Sequence, residues 1–258
     1  NEFDNSETVA RIVALRTQKA QLLGYSTYAQ YALSRRMAQD TQHVYDLLDT
    51  LLDACLPTAQ EQVKEVEELA KETEGNDFIL QPWDFAYYSH KLKVKCFNVD
   101  EEQLRPYFPL AQVQEGIFSL AQTLYGISFK ANDQIPVFHP DVKAYEVTDH
   151  DGSFLAVLYT DFFPRSSKQG GAWMTSYQEQ YIENDGTDIR PHVSLTANFT
   201  PPTKDKPSLL SLDEVETFLH EFGHCLHGIF SNVRYRGLSG TNVWWDFVEL
   251  PSQIMENF

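Results

Sequence analysis

His220-Glu221-Phe222-Gly223-His224 has the pattern HExxH, which on a helix builds half of a zinc site and adds a general base. Two histidines four residues apart lie one turn above each other on one helical face. Both imidazoles can therefore reach a single ion at roughly 2.0–2.1 Å. The glutamate lies beside the ion without having to bind it. The pattern makes metal-assisted hydrolysis the first hypothesis, although so short a match also arises by chance.

The residues that flank this motif predict the helix on which it must lie. Ser211-Leu212-Asp213-Glu214 has the form of a capping box, in which serine and glutamate side chains satisfy backbone N–H groups at a helix N-terminus. A helix that starts here buries one face and presents His220 and His224 on the other, which favours a metal site over a pair of core histidines. The apolar side chains of the buried face are Val215, Phe218, Phe222, Leu226 and Ile229.

A catalytic zinc site needs a third protein ligand and an open fourth position. His227 shares the face of the two histidines, but its axial distance from His220 is about 10.5 Å at 1.5 Å per residue. One ion cannot comfortably bind both. The metzincin pattern also fails, since it requires glycine at position 227 and histidine at position 230. The third ligand is therefore expected on a second element.

A carboxylate from a second helical segment is the remaining candidate. The break at residues 237–241, Gly-Leu-Ser-Gly-Thr, lets the chain return antiparallel to the first helix. Pro251 must start or kink the helix that follows. Spacing favours Glu249 as the ligand and leaves the other carboxylates of this segment open. Asp246 and Glu256 are the nearest candidates to accept the imidazole N–H groups that do not face the metal.

Three segments near the end of the chain share one signature: HEFGHCLH at 220–227, LSGT at 238–241 and DFVELPSQIMEN at 246–257. They resemble the thimet oligopeptidase family of zinc metallopeptidases, which includes oligopeptidase A and the peptidyl-dipeptidases. Similar segments extend back along nearly the whole chain, among them Gln81-Pro82-Trp83-Asp84, His139-Pro140-Asp141-Val142, Gly170-Gly171-Ala172-Trp173-Met174 and Asn198-Phe199-Thr200-Pro201-Pro202.

The resemblance assigns roles to four positions. It implies one zinc ion per chain, bound by His220, His224 and Glu249, with Glu221 as the catalytic carboxylate. All four residue types are present in this sequence. The implied activity is zinc-dependent hydrolysis of peptide bonds in short unstructured peptides.

The same resemblance implies a longer protein. Family members continue beyond this motif with a glycine-rich loop and with tyrosine and histidine side chains that bind the scissile carbonyl. This sequence begins at Asn1, without a methionine, and ends at Phe258. We therefore expect an internal fragment with an incomplete, gluzincin-like HExxH core, which alone binds zinc weakly and is catalytically incompetent. Trp244-Trp245 before Asp246 leaves the choice between endopeptidase and peptidyl-dipeptidase open.

Composition fits a folded piece of such an enzyme. With 258 residues, 42% of them hydrophobic, the chain can bury a substantial core. The net charge of −17 opposes nucleic-acid phosphates and anionic membranes, and no apolar run approaches the roughly 18 residues of a transmembrane span. Cys55, Cys96 and Cys225 form no CxxC pair, which is typical of a reducing compartment. We expect a cytoplasmic monomer with no nucleic-acid or membrane partner.

The hydrophobic period changes near residue 130, which indicates two kinds of architecture. Earlier segments have a helical period, including a charged helix that ends before Gly75. Later segments alternate with a period of two, at residues 144–147, 154–159 and 192–195, and predict strands. The predicted fold is mainly α with a small, mostly antiparallel β-sheet (α+β). Its two parts are a helical region at 1–130 and, at 131–258, the sheet with the zinc-binding helices.

The predicted sheet also offers a way to hold a peptide. An extended substrate can add to an edge strand, because main-chain hydrogen bonds recognise any sequence. Residues 195–200 end at two prolines, which suit the end of an edge strand. We therefore predict substrate contacts at Ala197, Asn198 and Phe199. An interior strand with a proline stop explains the same residues equally well.

Two other classes of function stay open on the sequence. A metal-free peptide-binding module would keep the strand and the cleft without zinc. A hydrolase of non-peptide amides would keep the metal but would not need an edge strand. Zinc content distinguishes a metal-free binding module from a zinc peptidase. Rates of hydrolysis of peptides and of small amides distinguish a non-peptide amide hydrolase from a peptidase.

Overall fold

The computed structural model describes residues 4–98 and 101–258. Contacts between Cα atoms divide the chain into two units, Asn1–Val99 and Asp100–Phe258. The predicted α+β class is confirmed, since helices are combined with a small sheet. The first strand begins at Ser128, where the sequence period changes. The predicted parts, 1–130 and 131–258, stay a prediction as domains.

Over its described residues, 4–98, the first unit contains four helices: α1 (Ser6–Leu22), α2 (Tyr28–Leu33), α3 (Thr41–Glu74) and α4 (Phe85–Phe97). Asp40 caps α3 by accepting a hydrogen bond from the backbone N–H of His43 at 3.0 Å. The helix ends before Gly75, as predicted, and it continues through Pro57. A small apolar cluster holds α3 against α4, with Val66, Ala70 and Tyr88 at its centre.

From residue 101 onward, where the second unit is described, it contains four further α-helices and seven strands. Its helices are α5 (Leu110–Tyr125), α6 (Leu212–Ile229), α7 (Trp245–Val248) and α8 (Leu250–Met255), with short 3-10 helices at Glu101–Gln103, Arg105–Tyr107 and Arg236–Leu238. Its strands are β1 (Ser128–Ala131), β2 (Lys143–Thr148), β3 (Phe154–Asp161), β4 (Trp173–Gln178), β5 (Tyr181–Ile182), β6 (Asp188–Ile189) and β7 (His192–Thr196). The three predicted strands lie within β2, β3 and β7.

Five strands form one mixed sheet in the order β1-β2-β3-β7-β4, and β5 and β6 pair separately. Only the β3–β7 pair of the larger sheet is parallel. The prediction that residues 195–200 begin as an edge strand is wrong, because β7 lies between β3 and β4. The open alternative, an interior strand that stops at the prolines, describes it. The edge strand beside α6 is β4.

Helix α6 packs onto the sheet through its apolar face. Phe218, Phe222 and Ile229 are fully buried against sheet residues such as Leu158 and Leu195. Burying each such side chain stabilises the fold by about 1.5–3 kcal/mol. Among the described residues, no helix combines the length and apolarity needed to cross a membrane.

Two faces of α6, not one, are covered. The prediction of a single buried face is wrong for its second half, because Glu221 and His224 are 7% and 9% exposed. The apolar face packs on the sheet, and α8 packs against α6 at Gly223. The histidines therefore lie on the floor of a cleft, in which the Glu249 side chain is still 53% exposed.

Candidate metal centre

The start of α6 sets the position of the motif along the helix. The Ser211 hydroxyl accepts a hydrogen bond from the backbone N–H of Glu214 at 3.2 Å, and the Glu214 carboxylate accepts one from the backbone N–H of Ser211 at 2.8 Å. This confirms the predicted capping box. Arg105 also donates to Glu214 at 3.1 Å. With its N-terminus fixed, α6 carries His220 and His224 in successive turns well inside the helix.

Three donor groups of the cleft converge on one point. Glu249 Oε2 lies 3.3 Å from His220 Nε2 and 3.1 Å from His224 Nε2. One ligand atom from each of the three residues lies within 4.8 Å of the others. Tetrahedral zinc with bonds of about 2.0–2.2 Å separates its ligands by roughly 3.4 Å. The spacing of these donors fits a zinc ion.

The chemistry of the two imidazoles fits metal binding as well. Glu256 Oε1 lies 2.5 Å from His220 Nδ1. Because an ionised carboxylate only accepts, Glu256 favours the tautomer with the proton on Nδ1, which leaves the lone pair of a neutral imidazole on Nε2 for a metal. Burial lowers the pKa of His224, against the opposing effect of Glu249, and so favours its neutral form. Within the described chain, His224 Nδ1 is buried without a hydrogen-bond partner.

Glu221 lies in the same cleft and has an altered acidity. Burial raises the pKa of its carboxyl, and the nearby Glu249 carboxylate adds to this effect. Hydrogen bonding to the Met174 backbone opposes it, as would a protonated His220. The net direction is upward. A carboxylate whose pKa is raised is a stronger base than an ordinary carboxylate.

Glu249 reaches the cleft from a junction between two short helices. The predicted second helix is divided into α7 and α8, and Glu249 is the residue between them. The sequence left open whether Pro251 starts or kinks a helix. Pro251 lies in the first turn of α8, so it belongs to the start of the helix. Gly223 makes the close approach of α8 possible: a Cβ atom there would lie 2.5 Å from the Pro251 carbonyl oxygen and 2.6 Å from the Ser252 Cα.

The cleft around these groups has a volume of about 330 Å³. Besides the four predicted residues, it is lined by Ala172, Trp173 and Met174 at the start of β4, and by Thr241 and Val248. Sequence reasoning did not place these five residues at the site. Gly170-Gly171-Ala172-Trp173-Met174 was a signal for β4, but its glycines are equally typical of a plain turn.

Several predicted residues lie elsewhere. The backbone N–H groups of Ala197 and Phe199 donate to Asp161 and Phe162, each at 2.8 Å. The Asn198 amide donates to backbone carbonyls of the segment before β4. Their role in substrate binding stays a prediction, without the edge-strand argument.

The remaining residues singled out in the sequence lie in different surroundings. Asp246 lies in α7, and its role as an imidazole acceptor stays a prediction. Trp244 and Trp245 are 62% and 76% exposed, and neither lines this cleft. Cys225 is fully buried. His227 faces a different pocket, with its ring against Phe247.

Comparison with known proteins agrees with the motifs. The model of peptidase family M3 matches residues 1–258. The chain is 41% identical over its full length to oligopeptidase A of Escherichia coli and 40% identical over 99% of its length to dipeptidyl carboxypeptidase of the same organism. It is 35% identical over 98% of its length to saccharolysin of Saccharomyces cerevisiae. It spans only 38%, 37% and 37% of these three relatives.

Proposed function

The chain belongs to peptidase family M3, and we propose from this premise that the protein carrying it hydrolyses peptide bonds of short unstructured peptides at a zinc ion. His220, His224 and Glu249 would hold the ion, and Glu221 would be the general base. The observation that carries the proposal is the convergence of three ligand atoms beside a buried glutamate in one cleft.

The bound metal and the residues of the cleft have separate roles in the proposed reaction. A bound zinc ion supplies positive charge that polarises the scissile carbonyl and acidifies water. Glu221 accepts a proton from the attacking water and returns it to the departing amine. Its burial, which raises the pKa of its carboxyl above the ordinary value, favours the step in which it accepts the proton. Glu256 keeps the proton of His220 on Nδ1, so that Nε2 can ligate.

We further propose that the substrate backbone binds along β4. In the sheet as described, β4 pairs only with β7, so its other edge is open. Its first residues, Trp173 and Met174, line the same cleft as Glu221. An extended peptide added to this edge would be held by main-chain hydrogen bonds whatever its sequence. Such binding needs an unfolded chain, which supports a preference for short flexible peptides.

Oligopeptidase A and dipeptidyl carboxypeptidase, two similar relatives, have names that point to different modes of cleavage. Both modes are compatible with this site, and the masses of the products decide between them. A cytoplasmic, monomeric state, with no nucleic-acid or membrane partner, remains part of the proposal. The described cysteines are free thiols, which supports a reducing compartment. The expected inactivity of the isolated chain stays a prediction.

Zinc content tests the ligand set. In the full-length protein, changing His220, His224 or Glu249 to alanine should abolish stoichiometric zinc, measured by elemental analysis after dialysis. His227→Ala is the matched control, because this histidine lies on the same helix but outside the donor cluster. Full zinc occupancy in Glu249→Ala would exclude Glu249 as a ligand. A wild-type protein without zinc would favour the metal-free binding module.

Substrate panels test the reaction. The full-length protein should cleave a flexible peptide of about ten residues, lose this activity with a chelator, and leave a native globular protein intact. Sequential loss of C-terminal dipeptides would identify a peptidyl-dipeptidase, and internal cuts would identify an oligopeptidase. Faster hydrolysis of small non-peptide amides than of peptides would contradict the proposed substrate class.

A further inference from the structure

Ser252 is a buried hydroxyl in direct contact with the proposed metal carboxylate. Its side chain is fully buried. Ser252 Oγ lies 2.8 Å from Glu249 Oε2 and 2.9 Å from the Glu249 backbone carbonyl oxygen. Both atoms are acceptors, so the hydroxyl is the donor, and its single hydrogen is shared between the carboxylate and the backbone carbonyl. The oxygen it contacts, Oε2, is the one that faces His220 and His224.

The position of Ser252 is itself set by close packing between α6 and α8. Its Cα lies 2.6 Å from the place where a Cβ of Gly223 would be. The backbone of α8 therefore rests directly on the helix that carries both histidines. A hydroxyl at this point has little freedom to move relative to the two imidazoles.

The Glu249 side chain, by contrast, has few constraints of its own. It is 53% exposed, although the two imidazoles and Ser252 surround one of its oxygens. A half-exposed glutamate has several accessible rotamers, and restricting it to one costs conformational entropy. A hydrogen bond from a fixed donor selects the rotamer before the metal arrives.

We propose that Ser252 is a positioning residue of the metal centre, which holds Glu249 Oε2 toward the two imidazoles and so raises zinc affinity. This inference rests on the proposed function, since it takes Glu249 as a ligand. Groups that orient metal ligands typically change metal affinity by 10–100-fold when removed. Ser252→Ala should accordingly weaken zinc binding by about that factor, through faster release of the ion.

The test uses the full-length protein and a chelator of known zinc affinity. Ser252→Ala is compared with Ser208→Ala, because Ser208 is also a buried serine that donates to a backbone carbonyl, here Thr200 at 2.6 Å. We expect a 10–100-fold loss of zinc affinity in Ser252→Ala and none in Ser208→Ala. Ser252→Cys, which keeps a side chain of similar size with a much weaker donor, replaces the alanine variant if that variant does not fold.

Two further measurements separate positioning from general destabilisation. The visible spectrum of the cobalt-substituted protein should change in Ser252→Ala, because the orientation of Glu249 alters the ligand field. Chelator competition also measures the weak zinc binding that two imidazoles retain in a Glu249→Ala background, where Ser252→Ala should cause no additional loss of affinity. Unchanged affinity and spectrum, or fully additive losses, would overturn the inference while leaving zinc binding by the wild type intact. A wild type without zinc would instead overturn the proposed function and this inference together.

Discussion

Helices α3 and α6 are built from similar sequence signals but have different surroundings. Each begins at a capping residue and carries an apolar stripe. In α3, the side chains of Leu47 and Leu51 are 62% and 50% exposed. In α6, nearly every residue from Phe218 to Ile229 is buried between the sheet and α8. The apolar pattern and the capping residues therefore determine where a helix forms. The elements packed against the helix determine whether its side chains are buried and can form a site.

The charged groups of the two units differ in the same way. In the first unit, Lys95 and Glu72 pair at 2.7 Å while both side chains are more than half exposed. In the second unit, Asp161 pairs with Lys168 at 3.0 Å, and both side chains are 2% exposed. Exposed pairs contribute little to stability, whereas removing one member of a buried pair leaves a charge without compensation. Matched substitutions in the two units test this difference.

The largest expected effect is on catalysis. Glu221→Gln in the full-length protein should lower kcat by about 10²–10⁴-fold, because an amide cannot accept the proton, while zinc content stays stoichiometric. Steady-state kinetics with elemental analysis checks both parts. Glu72→Gln in α3 is the matched control and should leave kcat unchanged. A Glu221→Gln enzyme with wild-type turnover would remove Glu221 from the mechanism.

The next effect concerns packing. Phe222→Ala in α6 should lower the free energy of unfolding by about 3–5 kcal/mol, since it leaves a cavity among fully buried residues. Leu51→Ala in α3 should change it by no more than about 0.5 kcal/mol. Denaturant unfolding of the full-length protein measures both. A loss at Leu51 as large as that at Phe222 would mean that the exposed stripe of α3 is covered in that protein.

Local signals predicted the elements of this fold well. The capping box of α6, the end of α3 before Gly75 and the residues of β2, β3 and β7 all follow from short-range chemistry. The order of strands does not, because pairing depends on contacts far apart in sequence. A strand that ends at two prolines, such as residues 195–200, is compatible with an edge position and with an interior position. Only its pairing with both β3 and β4 shows that it is interior.

The candidate site was likewise predictable only where it depends on local sequence. The helical spacing of His220 and His224 could be recognised directly in the sequence. Spacing also favoured Glu249, and the family resemblance then assigned it as the third ligand. The cleft residues from β4 could not be placed, since they meet α6 only through the strand order. The role of Ser252 could not be predicted from the sequence either. A serine after a proline is not a recognisable motif, and its contact with Glu249 depends on the packing of α8 on Gly223.

The buried ion pair predicts a pH dependence of stability. Burial raises the pKa of Asp161, but hydrogen bonds from Arg165 and Lys168 outweigh it, and the net pKa lies below the ordinary 3.8. A depressed pKa stabilises the fold fully above the unfolded value, and this stabilisation is lost as pH falls through the folded value. Asp161→Asn should therefore cost about 3–5 kcal/mol at pH 7, and progressively less than that below about pH 4.

Unfolding curves between pH 7 and pH 3 check this expectation. Glu72→Gln serves as the exposed counterpart and should cost no more than about 1 kcal/mol at any of these pH values. A cost for Asp161→Asn that stayed constant down to pH 3 would show that ionisation of Asp161 is not the source of the stabilisation.

The smallest effects compare two helical glycines inside the second unit. Gly223→Ala would bring a methyl group to 2.5 Å from the Pro251 carbonyl oxygen, so α8 must shift and stability should fall by about 1–3 kcal/mol. Gly116→Ala in α5 has nothing within 4 Å of the new atom and should stabilise by about 0.5–1 kcal/mol through helix propensity. Because α8 carries Ser252 and follows Glu249, Gly223→Ala should also weaken zinc binding, whereas Gly116→Ala should not. Equal stabilities and equal zinc affinities for the two variants would contradict the close packing of α8 on α6 from which the geometry of the site follows.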